Sequence, residues 1–435
     1  MSDYSETRDH SRLSDDRPRI GYACVTVGVP GTRLRTLTRR FASGDKLHEI
    51  IDGNLDALEK QAKYNIENGI RMFRISSDII PFAGTPINPI RWETQYAKEL
   101  ARIGRVFREG GIRVSMHPGQ YTVLNSPDSS VVEKSICDLS WHADFLDALG
   151  VSFESKIVLH IGGGYGDRVA ALRRFSDRYR TLPKNVRDRL VIENDERIFS
   201  IEDALVLYES IGTPVVYDNL HREVFEKRRL DDHADMIRRC ARTFQQTDGR
   251  QKIHYSLQDP NKKAGAHSAT VRIDEFMEFF RRIRDGSPDI MLEVKDKNLS
   301  AIKCALLTSG QPDRKLLEKE WSRYKYTVME RSPSIYSEIR TLFSSTGNIS
   351  AESFYRRTED ALSGTIDPGK AENAALHVWG YFSGKATERE KALFFNRLAA
   401  YRKGAGSLSA VKKHLFRMAE TYREDYLLNS LYFYL

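Results

Sequence analysis

The sequence predicts an α/β protein: a (β/α)8 TIM barrel with an appended small all-α C-terminal domain. Three observations carry that expectation. Short apolar runs alternate with stretches of helical periodicity about eight times between Arg19 and the helix that opens at Asn298, as a barrel of parallel strands requires. Six of these runs hand a titratable side chain to the same relative place. Ile112–Met116 leads into His117, Lys156–Leu159 into His160, Leu190–Ile192 into Glu193, Pro214–Tyr217 into Asp218, Lys252–Ile253 into His254 and Asp289–Leu292 into Glu293. A buried strand ending in a carboxylate costs stability, yet it is ordinary at the C-terminal mouth of a catalytic barrel. Finally, beyond about Ser350 strand-like runs cease and only helical ones remain.

The elements follow in order. Arg19–Val25 reads as the first strand. Leu47–Asn68 is helical, with Leu55, Leu58, Ala62 and Ile66 on one face and Gly69 closing it. Ile70–Ile75 is the second strand, and Trp92–Glu109 a helix ended by Gly110-Gly111. Strand 112–117, helix Ser129–Leu149 and strand 156–160 come next, then the glycine run 162–166 and a helix from Asp167. Strand 190–193, helix 200–211, strand 214–218, helix 232–246, strand 252–257, helix 272–284 and strand 289–294 complete the alternation. In the final part, helices are expected over Tyr355–Leu362, Ala371–Phe382, Glu388–Ala400 and Leu408–Leu428, punctuated by glycines and Pro368. The organisation expected is a disordered arm over 1–18, a barrel domain over 19–345 and a helical domain over 346–435.

Bulk properties narrow the classes. The 435 residues are 40% hydrophobic and 29% charged, with no apolar run near the roughly 18 residues that span a bilayer. Met1–Arg17 is polar and lacks the apolar centre of a secretory signal. The four cysteines, Cys24, Cys137, Cys240 and Cys304, show neither zinc-ribbon nor disulfide spacing, which suits a reducing cytoplasm. A net charge of +8 and a pI of about 9.1 are compatible with a polyanionic partner.

The chemistry lies at the strand ends. His117, His160, His221, His254 and His267 sit there or in the loops directly after. One such histidine is more often a core residue than a ligand, but five converging with Glu193, Asp218 and Glu293 reverse that balance. Three packed carboxylates repel and raise one another's pKa values unless cations intervene. Imidazole and carboxylate without thiolate suit Mn, Zn or Fe, and eight ligands exceed the needs of one ion. Two or three ions suit phosphoester hydrolysis. Glu193, midway in the series, is the natural bridging ligand. His10, His48, His142, His233, His377 and His414 are assigned no chemistry. After His117, the turn Pro118-Gly119 leaves Gln120 and Tyr121 either packing on a neighbouring loop or filling space vacated by displaced bases. The glycine run 162–166 lacks both Walker and Rossmann spacing, so no nucleotide cofactor is expected.

In combination, Arg74-Ile-Ser-Ser77, His117-Pro-Gly-Gln-Tyr-Thr122, His160-Ile-Gly-Gly163, Glu193-Asn-Asp195, Asp218-Asn-Leu-His221, Lys252-Ile-His254-Tyr-Ser256 and His267-Ser268 resemble the UV damage endonucleases, over about Arg19 to Tyr326. The resemblance implies a fold like that of endonuclease IV. It also implies nicking of damaged double-stranded DNA on the 5′ side of cyclobutane dimers, 6-4 photoproducts and some abasic sites, leaving 3′-hydroxyl and 5′-phosphate ends. Carried over, one ion takes His117, His160 and Glu193, a second takes Glu193, Asp218, His254 and Glu293, and a third takes His221 and His267. Manganese is the expected metal, with zinc or magnesium as alternatives. Lys252, carboxylated in the family, joins Glu193 as a catalytic residue. Gln120 and Tyr121 fall on the lesion-probing pair and Tyr22 on an aromatic residue lining the site. Thr85 and Thr26 depart from the histidine and asparagine common at those places. His377-Val-Trp-Gly-Tyr-Phe382 and Tyr401-Arg-Lys-Gly404 resemble a small helical domain of uncertain role, whose basic residues could touch DNA. The resemblance places the protein in the cytoplasm at the nucleoid, away from membranes. The rival readings are a metal-dependent sugar isomerase or epimerase on the same barrel, and a lesion-binding recruiter without cleavage.

Overall fold

Eight four-residue strands pair in parallel and in sequence order until β8 meets β1, closing a barrel. They are β1 (Ile20–Ala23), β2 (Met72–Ile75), β3 (Arg113–Met116), β4 (Ile157–His160), β5 (Leu190–Glu193), β6 (Val215–Asp218), β7 (Lys252–Tyr255) and β8 (Asp289–Leu292). This computed structural model describes residues 17–344 and 347–435. The arm expected over 1–18 lies outside the described residues as far as residue 16.

Period-two alternation gives each strand an inner and an outer face. Ala23, Met72 and Met291 meet inside the barrel, as do Val158, Val191 and Val216. The N-terminal end of the barrel is closed by charge. Arg113 donates to Asp289 at 2.9 Å and to the carbonyls of Glu154, Asp248 and Arg250, and Lys156 donates to Asp248 at 2.5 Å. The base is thus tied together by buried charge, and the candidate ligand groups lie at the opposite rim.

The outer faces bury the helices α1 (Gly44–Glu67), α2 (Ala97–Glu109), α3 (Ser129–Ala148), α4 (Arg168–Thr181) and α5 (Ile201–Ile211), then, past the rim helix α6 (Asn219–Glu226), α7 (His233–Ala241), α8 (Ile273–Ile283) and α9 (Asn298–Thr308). Helix α1 starts three residues before the sequence expectation because the Ser43 hydroxyl accepts from the Lys46 amide as an N-cap. The helix expected over 92–109 is two, Trp92–Gln95 and α2, broken at Tyr96. Gly104 lets α2 press on the end of α3, since a Cβ there would sit 1.7 Å from the Leu149 carbonyl oxygen. Helix α6 follows β6 without a gap where a loop was expected.

Beyond the barrel, α10 (Arg314–Arg331) and α11 (Pro333–Ser344) occupy a stretch to which the sequence reading assigns no element. They are followed by α12 (Ala351–Ser363), α13 (Pro368–Trp379), α14 (Glu388–Arg402), α15 (Leu408–Thr421) and a 3-10 turn, Leu431–Phe433. A second core gathers Ala374, Val378, Phe394, Leu415 and Tyr432. Helix α10 feeds both cores, giving Tyr324 and Val328 to the barrel and Tyr326 and Met329 to the second. Ile339 of α11 and Phe354 of α12 also join the barrel core. Trp379 stacks on Phe394 at 4.6 Å, which makes it a packing residue. Among the described residues no helix is long and apolar enough to cross a membrane.

Candidate metal centre

The ends of β4 to β7, the residues directly after β3 and β8, the first turn of α6 and the loop after β7 bring the eight candidate ligands to the C-terminal rim. Pairing puts His160 beside Glu193 and Asp218 beside His254 in adjacent strands. Glu193, only 1% exposed, lies at the hub. One of its oxygens is 3.1 Å from His117 Nε2 and 3.5 Å from His160 Nε2, and the other is 2.7 Å from His254 Nδ1 and 3.6 Å from His221 Nδ1. Glu293 adds contacts of 3.2 Å to His254 and 3.8 Å to His267. Three sets of ligand atoms lie within 4.8 Å of one another: His117, His160 and Glu193; Glu193, His254 and Glu293; and Glu193, Asp218 and His221. The geometry therefore associates Asp218 with His221 rather than with the His254 set. His267 joins through Glu293 and a ring contact with His221 at 6.5 Å, and is held by a bridge between Gln258 and His267.

Local structure explains the placement. Asn194 donates to the Asp218 carbonyl at 3.1 Å and accepts from the Asp218 amide at 2.9 Å, locking the ends of β5 and β6 together. Asp218 itself caps α6, accepting from the His221 amide at 2.8 Å. That cap orients the first turn so that the His221 ring, bonded to the Asn194 carbonyl at 3.0 Å, faces Glu193. Ser77 donates to the His117 carbonyl at 3.0 Å and is held by His142 at 2.9 Å. Arg74, inside the rim on β2, donates to Glu293 at 2.6 Å. Arg74, Asn194 and His142 thus support the ligands without belonging to the predicted set. Arg74 and Asn194 lie inside the recognised motifs, which could have pointed to them, whereas His142 sits within α3 and no motif marks it.

The site is charged and its carboxylates are buried, which sets their protonation. Burial pushes the Asp218 carboxyl up, aided by Glu193 and Glu293. Burial acts on Glu193 in the same sense, but His254 and His160 outweigh it and hold that carboxyl well below the usual range. At His221 burial is overcome by Asp218, Glu193 and Glu293, which push the imidazole up to about 9. Lys252 is buried one layer below His254 on β7, and burial pulls its ammonium well below an ordinary lysine, with Arg113 and Arg74 acting alike.

The donor set fits divalent cations. Among the described residues, Asp218 Oδ2, His254 Nε2, His160 Nδ1 and Lys252 Nζ are buried without a hydrogen-bond partner, an expensive arrangement for polar atoms. Metal coordination satisfies imidazole and carboxylate atoms of this kind. Asn194→Ala should therefore lower divalent-metal affinity roughly 10–100-fold, the usual effect of losing a residue that orients ligands. Titration calorimetry with Mn²⁺ checks this, and unchanged affinity would refute the positioning role.

Gln120 and Tyr121 stand exposed beyond His117, Tyr121 at 84%. Tyr22 does not share that rim. Its neighbour Ala23 faces inward, so the strand turns Tyr22 outward beneath α1. There its hydroxyl meets Thr26 at 2.7 Å and donates to Asn65 at 3.0 Å, and its ring packs against Phe73. Thr85 is exposed in a turn. His377 is exposed on α13, remote in sequence from every ligand.

Comparison with known proteins adds an independent line. The family model described as UV-endonuclease UvdE matches residues 12–311, and one described as a protein of unknown function (DUF1722) matches 325–435. The chain is similar to a UV DNA damage endonuclease of Clostridium perfringens, 44% identical over 287 residues that span 66% of this chain and 69% of that protein. A UV DNA damage endonuclease of Bacillus velezensis is 31% identical over 274 residues, 62% of this chain and 84% of that protein. Among solved structures, the crystal structure of SacUVDE superposes with a TM-score of 0.64 at 36% identity, covering 68% of this chain and 99% of that one.

Proposed function

The chain belongs to the UV-endonuclease UvdE family, and from that premise we propose that it nicks damaged duplex DNA on the 5′ side of UV photoproducts. Cyclobutane dimers, 6-4 photoproducts and some abasic sites are the substrates, and 3′-hydroxyl and 5′-phosphate ends the products. The observation that carries this reading is the convergence of three ligand sets on Glu193 beside the exposed pair Gln120 and Tyr121.

In this reading His117, His160, Glu193, Asp218, His221, His254, His267 and Glu293 hold two or three divalent ions, manganese first and zinc or magnesium as alternatives. Such ions supply Lewis acidity, activating water at neutral pH and offsetting charge that builds on phosphoryl oxygens. The chain does the rest. Arg74 and Asn194 fix the carboxylates before substrate arrives, so little reorganisation is left to the reaction. Lys252 is best suited to carboxylation, because a neutral amine forms the N–C bond to carbon dioxide and releases a proton to water. The resulting carbamate would place an anion under Glu193 and Glu293, beside Arg113 and Arg74.

Gln120 and Tyr121 read the lesion by entering a stack that damage has already weakened. Tyr121→Ala should reduce the preference for damaged over intact duplex about tenfold, the scale of one lost stacking contact of roughly 1–3 kcal/mol. Competition binding with photoproduct-bearing and intact duplexes measures it, and an unaltered preference would remove Tyr121 from the probe.

The function itself is tested with supercoiled plasmid, half of it UV-irradiated, incubated with protein and Mn²⁺. Nicking confined to the irradiated half supports the endonuclease. No nicking in either half, from protein shown to carry metal, overturns it.

A further inference from the structure

We infer that the helical region carries a second DNA-contacting surface: the groove between α15 and the turn around Leu431–Tyr434 holds the phosphate backbone of duplex flanking the lesion, continuing a track begun by the β1–α1 loop. This rests on the endonuclease reading above and gives the helical region a role within it.

The track begins at the mouth. Residues 25–43, which join the C-terminal end of β1 to α1, contain four arginines and no acidic residue. Arg35 is taken by Glu49 at 2.7 Å. Arg33, Arg39 and Arg40 are exposed, and among the described residues none has a carboxylate within ion-pair distance. Arg40 lies over the ring of Phe41 at 4.5 Å, and Phe41 is itself 59% exposed. Unpaired arginines with an aromatic side chain among them are the ordinary equipment for a phosphate backbone.

The groove has a volume of about 370 Å³. Phe416, Phe433 and Tyr434 form its apolar wall, with Phe416 to Phe433 at 5.3 Å and Phe416 to Tyr434 at 6.0 Å, and Lys412 and Lys413 line it without any acidic residue. Lys412 is committed to Glu330 at 2.9 Å. Lys413, and Arg417 one turn further along α15, are exposed and have no carboxylate partner among the described residues. Free cations above an apolar wall suit a polyanion with sugar faces.

The two parts touch. Gly28 of the β1–α1 loop has a φ of +72°, and a Cβ there would lie 3.3 Å from the Tyr434 ring. The groove wall thus abuts the backbone of the arginine loop.

The test uses the full chain with its metals and an undamaged duplex of about 40 base pairs, whose binding is almost wholly electrostatic. Anisotropy titrations across a salt series compare the parent with K413Q/R417Q and with R39Q/R40Q. Each lost phosphate contact lowers the slope of log affinity against log salt by about 0.9. Either pair should therefore lower the slope by about 2 and weaken binding at low salt roughly tenfold. A parental slope and affinity in K413Q/R417Q overturn the groove. The plasmid assay on the same preparation keeps the two readings apart. Nicking with an unchanged slope removes the groove alone. A lowered slope without nicking supports a DNA-binding groove and removes the endonuclease.

Discussion

Glu193→Gln is expected to abolish nicking of irradiated DNA while binding to the damaged duplex persists. The change is isosteric, so it isolates charge from packing. Glu193 belongs to all three ligand sets and lies within 3.6 Å of four imidazoles. No other candidate ligand is shared in this way. An amide presents one weak acceptor and a donor in place of two anionic oxygens, so it would be a poor shared ligand for cations that the flanking histidines would hold. A loss of at least about 10³-fold, or about 4 kcal/mol of barrier, should accompany a fall in metal content per chain. Affinity should survive because the residues proposed to touch DNA, Gln120, Tyr121 and the loop arginines, lie outside the metal cluster. Elemental analysis, single-turnover nicking and anisotropy binding on one preparation separate these effects. Full nicking by the variant would dismiss Glu193 as the hub and the shared-ligand centre with it.

What could be read from the sequence, and what could not, follows from the range of the interactions. A parallel barrel announces itself locally, because each strand is a short apolar run and six of the candidate ligands stand at the end of one. His117, His160, Glu193, Asp218, His254 and Glu293 were visible for that reason. The supports were not, since they act across strands. Arg74 reaches Glu293 from β2 to the rim beyond β8, and Asn194 ties β5 to β6. Asp218 is both a candidate ligand and the cap of α6, and a helix that starts inside a ligand motif reads as loop. The outward turn of Tyr22 depends on the parity of a four-residue strand, which Gly21 leaves unmarked. Helix α10 escaped notice because its buried face includes Glu320, Arg323, Thr327 and Glu330. Polar residues at those places erase the apolar stripe by which a helix is recognised.

That same polar face governs the joint between the barrel and the helical region, and Glu320→Ala is expected to cost about 3–5 kcal/mol of stability. Arg323 donates to Glu320 at 2.8 Å with the two side chains 5% and 2% exposed. Tyr355 of α12 donates to the second Glu320 oxygen at 3.0 Å. The guanidinium also lies over the ring of Tyr64 on α1 at 5.9 Å, so three helices meet at one ion pair. Truncating Glu320 strands a buried cation and leaves the Tyr355 hydroxyl without its acceptor, the costly way to disturb a buried pair. Replacing both partners, as Glu320→Leu with Arg323→Met, removes the charges together and should recover most of the loss. Denaturant titrations of the two variants measure the contrast. If both fall equally, shape at the joint matters and the ion pair does not. Because α10 supplies side chains to both cores, Glu320→Ala should lower the unfolding midpoint of barrel and helical region together. A shift in only one of two separate transitions would show that the cores fold independently, and that α10 is merely their tether.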